Sequence, residues 1–208
     1  MFNLNHLNES QLNFFQEIEN IGASHAATAL SALLDRPILV RVSNARFCEF
    51  SNIADILKGP ENLVVSLLVE MAGDLSGYIL LILDAQDAKD LSASVIQTMG
   101  LDLEETTEFL TNMQQSALLE VANILSGSYL TALSSLTGLR TESSIPRLAI
   151  DMAGAIMNLP AVTYGEYGDV VLFLETAFQD RDRCFAGHFF LVPDVLSFSI
   201  LLKTMGIE

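Results

Sequence analysis

Residues 17–33, EIENIGASHAATALSAL, and residues 120–136, EVANILSGSYLTALSSL, are two versions of one segment. Both are rich in helix-forming residues, and each predicts a long helix. A shift of 103 positions aligns identical residues: Glu17, Asn20, Ile21, Thr28, Ala29, Leu30, Ser31 and Leu33 fall on Glu120, Asn123, Ile124, Thr131, Ala132, Leu133, Ser134 and Leu136. Agreement at so many positions favours an internal duplication over chance.

The sequence on either side of each segment predicts the same order of elements in both halves. The first half reads as a helix at residues 8–34, a strand at 38–50, a polar connection, a hairpin turning at Gly73-Asp74 and a helix at 84–100. The second half reads as a helix at about 104–137, a strand at about 140–145, a short helix in RLAIDMAGAIMN, a hairpin and a closing helix.

We therefore predict one α/β (α+β) domain over residues 1–208, made of two repeats at about 8–100 and 104–206. Hairpins from both halves are expected to join in one largely antiparallel sheet with pseudo-twofold symmetry, packed by the two long helices and by shorter ones. Small residues such as Gly22 and Gly127 are expected to let the long helices approach their neighbours closely.

Composition and charge limit the classes of protein. Half of the 208 residues are apolar and 17% are charged, which is typical of a globular protein with one sizeable core. The net charge of −16 argues against nucleic acid as a partner and favours a partner with a basic face. The amino terminus lacks signal-peptide features, and the longest apolar runs fall short of the roughly 20 residues that cross a membrane. We expect a cytoplasmic protein.

The two cysteines, Cys48 and Cys184, indicate no function. They lie far apart and lack the spacing of metal ligands, so the sequence predicts no metal site. A single disulfide is one interpretation, and two reduced thiols in a reducing compartment is the favoured one.

Polar residues form a narrow stripe on each long helix. At about 100° per residue, Ser116, Glu120 and Asn123 share one face with Gly127, and the first helix repeats the pattern with Asn13, Glu17, Asn20 and Ser24. Burying an unpaired carboxylate costs several kcal/mol, so both stripes should face solvent or a partner. For one copy, the solvated face of an amphipathic helix would be the simplest interpretation. Two matching copies favour a functional surface.

The chemistry of these side chains is limited to binding and orientation. A carboxylate accepts hydrogen bonds and can bind an ammonium group, while an Asn amide both donates and accepts and can hold a water molecule in a fixed direction. Neither is a good nucleophile. The pair therefore suits a reaction whose other groups come from elsewhere.

The segments EIENIGASHAATAL, EVANILSGSYLTAL, PRLAIDMAGAI and TMGIE resemble the CheC phosphatases of the CheC/CheX/FliY family of bacterial chemotaxis, over essentially the whole chain. The family signature is Asp or Ser, three residues, Glu, two residues, Asn, 22 residues and Pro. The second copy matches it at Ser116, Glu120, Asn123 and Pro146. The first copy keeps Glu17 and Asn20 but has Asn13 at the opening position and Ser43 in place of the proline.

The resemblance implies an enzyme that hydrolyses the aspartyl-phosphate of the response regulator CheY. It implies that Asn123 and Asn20 orient the attacking water, and that Glu120 and Glu17 contact a lysine of the regulator. No cofactor of its own is expected, because the Mg²⁺ of phosphoryl transfer would be held by the regulator. Ser43 lacks the fixed φ of proline, so the second site is expected to contribute more activity.

Two questions about partners stay open in the sequence. Asp151 is either a carboxylate in the first turn of a short helix, stabilised by the helix dipole, or, as the resemblance implies, part of a docking site for the receptor deamidase CheD. The alternative to the enzyme is a non-enzymatic adaptor that binds phosphorylated CheY or CheD. The duplicated motif favours a CheC-type monomer over a CheX-like dimer, and a FliY-like switch protein is disfavoured because no segment is long enough for a FliN-like domain. The cognate regulator is not indicated.

Overall fold

The fold was taken from a computed structural model, which describes residues 9–42, 46–103, 106–164, 170–180, 183–204 and 206. The elements of the first half are α1 (Glu9–Leu33), β1 (Leu39–Val42), β2 (Arg46–Glu49), α2 (Phe50–Ile56), β3 (Leu63–Gly73), β4 (Gly77–Asp84) and α3 (Ala85–Thr98). Those of the second half are α4 (Asn112–Thr137), β5 (Thr141–Ser143), β6 (Arg147–Met152), α5 (Ala153–Tyr164), β7 (Val170–Asp180), β8 (Arg183–Pro193) and α6 (Val195–Thr204).

The strands form one sheet in which every described pairing is antiparallel, as predicted. The hairpins β3-β4 and β7-β8 meet in the centre, where β4 pairs with β8. At the edges, β1 and β2 of the first half pair with β7, while β5 and β6 of the second half pair with β3. Exchanging the two halves therefore leaves the strand order unchanged. The boundaries of the two repeats stay a prediction from the sequence.

Helices cover both faces of the central strands. Along β3, Val65 and Leu67 point into a large core under the long helices, whereas Val64 points into a smaller core that also contains Ile53 of α2 and Ile156 of α5. Alternate residues of a strand face opposite sides of the sheet, so a strand covered on both sides is apolar throughout. This is the physical reason why β3 and β4 lack the polar alternation of a half-exposed strand.

The helices α1 and α4 pack against each other over the large core. Gly22 of α1 lies against the ring of Tyr129 of α4, and that ring in turn stacks on Phe189 of β8 with a centroid distance of 4.1 Å. A Cβ atom at position 22 would lie 2.7 Å from Cδ1 of Tyr129. The predicted close approach of the first helix to a neighbour is therefore confirmed at Gly22.

The helix α4 begins at Asn112, later than the predicted start near residue 104, and residues 104–105 lie outside the described part. A capping box fixes this start. The side chain of Thr111 accepts a hydrogen bond from the backbone N–H of Gln114, whose side chain accepts one from the N–H of Thr111. Reciprocal capping satisfies two N–H groups that a helix start otherwise leaves unpaired.

The predicted bounds of strands and helices were wrong at three further places. Two of them lie in the first half of the chain, and the third is at β5. The strand expected at 38–50 is divided into β1 and β2, with residues 43–45, including Ser43, outside the described part. The connection after it contains the helix α2. The strand expected at about 140–145 is limited to β5, because Pro146 has no N–H to donate to the ladder before β6 begins.

The short helix predicted for RLAIDMAGAIMN was wrong in its first half. Residues 147–152 form the strand β6, in which Leu148 and Ile150 pack against the large core, while Arg147, Ala149 and Asp151 are exposed. This is the two-residue period of a strand. The helix α5 starts only at Ala153, where the N–H groups of Ala153 and Gly154 donate to the carbonyls of Asn62 and Pro60.

Substitution of Gly22 by Ala is expected to destabilise the fold. The added methyl group meets a ring that is itself held against Phe189, so overpacking should outweigh the gain in helix propensity, for a net loss of about 1–2 kcal/mol. Urea denaturation of Gly22→Ala measures this loss. Ser24→Ala is the matched control, since Ser24 is exposed on the same helix. Equal stability of Gly22→Ala and the wild type would contradict the close contact.

Candidate active site

The polar stripe of α4 faces outward. Ser116, Glu120 and Asn123 are all exposed, while Leu118 and Val121 between them are fully buried in the large core. The helical period places the first three on one side and the apolar residues on the other. The expectation that the polar residues avoid the core is therefore confirmed for this helix.

The helix α1 presents an equivalent stripe. Asn13, Glu17 and Asn20 are exposed, while Phe15 and Ile18 are buried in the same core. Phe15 stacks on Phe198 of α6 at a centroid distance of 6.2 Å. The packing of Phe15 and Ile18 on the core therefore sets which side of α1 faces solvent.

The two Glu/Asn pairs are available for an external partner. Within the described part of the chain, the carboxylates of Glu17 and Glu120 take part in no ion pair, and the amides of Asn20 and Asn123 make no hydrogen bond. The two members of each pair are three positions apart, a spacing at which helical side chains are neighbours. Each pair therefore offers an anionic acceptor beside a neutral donor and acceptor.

Ser116, the opening residue of the signature, is bound within its own helix. Its hydroxyl donates to the backbone carbonyl of Asn112 at 2.9 Å. Hydroxyl groups commonly bond to the carbonyl one turn earlier when they lie inside a helix. The structure thus places Ser116 in line with the pair, with its hydroxyl bound to its own helix.

Pro146 is buried at the junction between β5 and β6 and does not lie on the exposed stripe. Just before it, the N–H of Ser144 donates to the carbonyl of Glu70, and the Ser144 hydroxyl accepts from the N–H of Glu70. Arg147, just after it, forms an ion pair with the Glu70 side chain. Pro cannot donate to a ladder, so its position fits the break between the two short strands.

Asp151 lies on the edge strand β6 and not in a helix. Its side chain is exposed, and its Oδ1 accepts a hydrogen bond from the N–H of Met152 at 2.7 Å. The interpretation of Asp151 as a carboxylate in the first helical turn was therefore wrong. The alternation of Leu148 and Ile150 with exposed residues is the signal that could have identified this strand.

Gly127 belongs to the polar stripe that the sequence predicts on α4. It lies one turn after Asn123 on the same face and is half-exposed, and a Cβ built there would meet nothing within 4 Å. The expectation that Gly127 lets α4 approach a neighbour within the protein was therefore wrong. A glycine inside a helix costs about 0.5–1 kcal/mol relative to alanine.

The described ranges contain neither a candidate metal centre nor a candidate membrane span. No three His, Cys, Asp or Glu side chains come together there in a group that could hold a metal ion. No described helix is both long and apolar enough to cross a membrane.

Two comparisons with known sequences identify the class of protein that has this fold and these paired stripes. The sequence pattern of the CheC-like family matches residues 113–142, which include Glu120, Asn123 and Gly127. The CheY-P phosphatase CheC of Bacillus subtilis strain 168 is 33% identical over 204 residues, covering 97% of this chain and 97% of that protein. The chain belongs to the CheC-like family.

Solved structures share the fold at lower sequence identity. Thermotoga maritima FliY has a TM-score of 0.75 at 24% identity, with 96% of this chain and 98% of that chain covered. A chain in the CheX-CheY-BeF3-Mg²⁺ complex from Borrelia burgdorferi has a TM-score of 0.52 at 17% identity, with 83% of this chain and 96% of that chain covered. These similarities establish the fold and its antiparallel sheet.

Because the paired residues are exposed, their removal is expected to leave the fold intact. Glu120→Ala and Asn123→Ala should each change the free energy of unfolding by less than about 0.5 kcal/mol. Leu118→Ala on the buried face of the same helix should cost about 2–5 kcal/mol. Urea denaturation of the three variants measures the difference. A loss above about 1 kcal/mol in Asn123→Ala would indicate that the amide supports the fold.

Proposed function

We propose that this protein is a phosphatase that hydrolyses the aspartyl-phosphate of a CheY-like response regulator in chemotaxis signalling. The observation that carries the proposal is the pair of outward-facing Glu/Asn sets on α1 and α4, free of partners within the described residues. Membership of the CheC-like family supports it, as does the phosphatase name of the Bacillus subtilis relative. The products are the free aspartate of the regulator and inorganic phosphate.

The proposed roles are those that the family resemblance implies, and the hydrogen-bonding capacity of each side chain is compatible with them. The Asn123 amide accepts from the attacking water through its carbonyl oxygen, so that it orients a water oxygen toward the phosphorus. The Glu120 carboxylate accepts from a lysine ammonium of the regulator and aligns the two proteins. Asn20 and Glu17 take the same roles on α1. Positioning of this kind is the main protein contribution to phosphoryl transfer.

The remaining groups of the reaction belong to the regulator in this proposal. Its aspartyl-phosphate supplies the reacting phosphorus, and its Mg²⁺ neutralises charge on the phosphoryl oxygens. The net charge of −16 favours encounter with a regulator that presents a lysine and other basic groups. A cytoplasmic location and a monomer with two sites, both predicted from the sequence, are part of the same proposal.

The test is the loss of phosphate from a CheY-like regulator phosphorylated by a small-molecule donor, measured with and without this protein. Acceleration of phosphate loss supports the enzyme. If a beryllofluoride-activated regulator binds while phosphate loss is not accelerated, the adaptor is the correct function. If the protein neither binds the regulator nor accelerates the reaction, both are wrong.

Substitution of each Asn by Ala should reduce activity to a different degree. Asn123→Ala is expected to remove more than half of the activity and Asn20→Ala less than half, since only the second copy keeps the complete signature. The double variant should lose activity about 10²-fold, because the attacking water is no longer oriented. Phosphate release at saturating regulator measures all three variants. Ser135→Ala, an exposed change farther along α4, is the control.

The outcomes of this series separate two errors. A greater loss in Asn20→Ala than in Asn123→Ala means that the ranking of the sites is wrong. Activity of the double variant equal to that of the wild type means that the Glu/Asn pairs are not the site of the reaction.

We also propose that Asp151 belongs to a docking surface for CheD. The proposal is supported by the exposure of Asp151, Arg147 and Ala149 on the edge strand β6. Asp151→Ala should weaken binding of purified CheD about fivefold to tenfold, as loss of a contacting charge does. Isothermal titration calorimetry measures the affinity, with the exposed Asp102→Ala as control. Equal affinity of both variants would place CheD elsewhere.

A further inference from the structure

Gly127 has no structural reason to be glycine among the described residues. Its position in the interior of α4 disfavours glycine relative to alanine. A Cβ at this position would meet no atom within 4 Å, and the residue does not have the positive φ that favours glycine. Alanine would therefore fit this position in the isolated protein.

Other glycines of the two long helices are explained by the fold. Gly22 is held against the ring of Tyr129, where a Cβ would lie 2.7 Å from the nearest ring atom. Gly138 ends α4 with a φ of 72°, the left-handed conformation of a helix C-cap. Gly127 has neither of these reasons. The absence of a side chain at Gly127 therefore indicates contact with a partner outside the chain.

We infer that Gly127 is the place where the backbone of the phosphorylated regulator comes closest to α4, an inference that rests on the proposed phosphatase function. Gly127 lies four residues from Asn123 on the exposed face, so the two Cβ positions are about 5–6 Å apart. A side chain at position 127 would stand beside the Asn123 amide in the space that the regulator enters. The glycine thus sets how deeply Asn123 reaches into the regulator.

The equivalent position on α1 is occupied by Ser24, which is exposed. A regulator that binds α1 must accommodate a hydroxymethyl group one turn after Asn20. The approach to α4 is therefore closer than the approach to α1. This difference favours the site on α4 over the site on α1, and it does so independently of Pro146 and Ser43.

The experiment uses Gly127→Ala and Gly127→Leu in an Asn20→Ala background, so that only the second site acts. The melting temperature of Gly127→Ala should rise by about 1–4 °C, because alanine favours the helix. The kcat/KM for a phosphorylated CheY-like regulator should fall about 3-fold to 10-fold in Gly127→Ala and about 10²-fold in Gly127→Leu. A weaker Kd for the beryllofluoride-activated regulator should accompany the fall.

Ser135→Leu in the same background is the matched control. Ser135 is exposed on α4, twelve residues after Asn123, so a bulky residue there should leave both kcat/KM and Kd unchanged. An equal loss in Ser135→Leu would overturn the inference, since the effect would not be local to Gly127. A rise in KM and Kd without a loss of melting temperature is the signature of a contact with the partner. A purely structural role would lower the melting temperature.

The remaining outcomes separate this inference from the proposed function. Unchanged kcat/KM and Kd in Gly127→Leu, with phosphatase activity present in the wild type, overturns the inference alone. If the wild type binds the activated regulator without hydrolysing its phosphate, the enzyme proposal fails, and a weaker Kd in Gly127→Leu still supports the contact. If the wild type neither binds nor hydrolyses, the inference is wrong together with the proposed function.

Discussion

The packing of α1 and α4 over one buried side of the sheet is the constraint on which the other features depend. Gly22, Tyr129 and Phe189 form a continuous stack from one helix through the other to the central strand β8. Because the inner faces of both helices pack on the core mainly through apolar side chains, the Glu/Asn pairs lie on the outer faces. Core packing therefore orients the Glu/Asn pairs, although no atom of those pairs belongs to the core.

In our proposal the exposed pairs supply only part of the reaction centre. A carboxylate and an amide can orient a water molecule and a lysine, but the described residues hold no group of His, Cys, Asp and Glu side chains that could bind a metal ion. In our proposal the phosphorylated regulator completes the centre, and the shape of the helix surface becomes as important as its chemistry. The open space above Gly127 would let a second protein place its own groups against Asn123.

Much of the fold could be predicted from periodicity alone. The two long helices, the hairpins β3-β4 and β7-β8, and the antiparallel sheet follow from residues whose spacing is unambiguous. The prediction was wrong for RLAIDM, where four apolar residues in six are compatible with either a helix or a strand. Pairing with β3 decided that this segment is a strand. In a strand, Leu148 and Ile150 lie on the same face of the sheet, and both are partly buried against the large core.

The sequence by itself determined that Glu120 lies beside Asn123, and Glu17 beside Asn20, because a helix brings residues three apart onto one face wherever it is placed. It also determined that these residues avoid the core, since an unpaired buried carboxylate is costly. Only the tertiary structure decided that Gly22 touches a ring while Gly127 faces open space. Local periodicity sets the side of a helix on which a residue lies, but what stands opposite that side depends on contacts between residues distant in the chain.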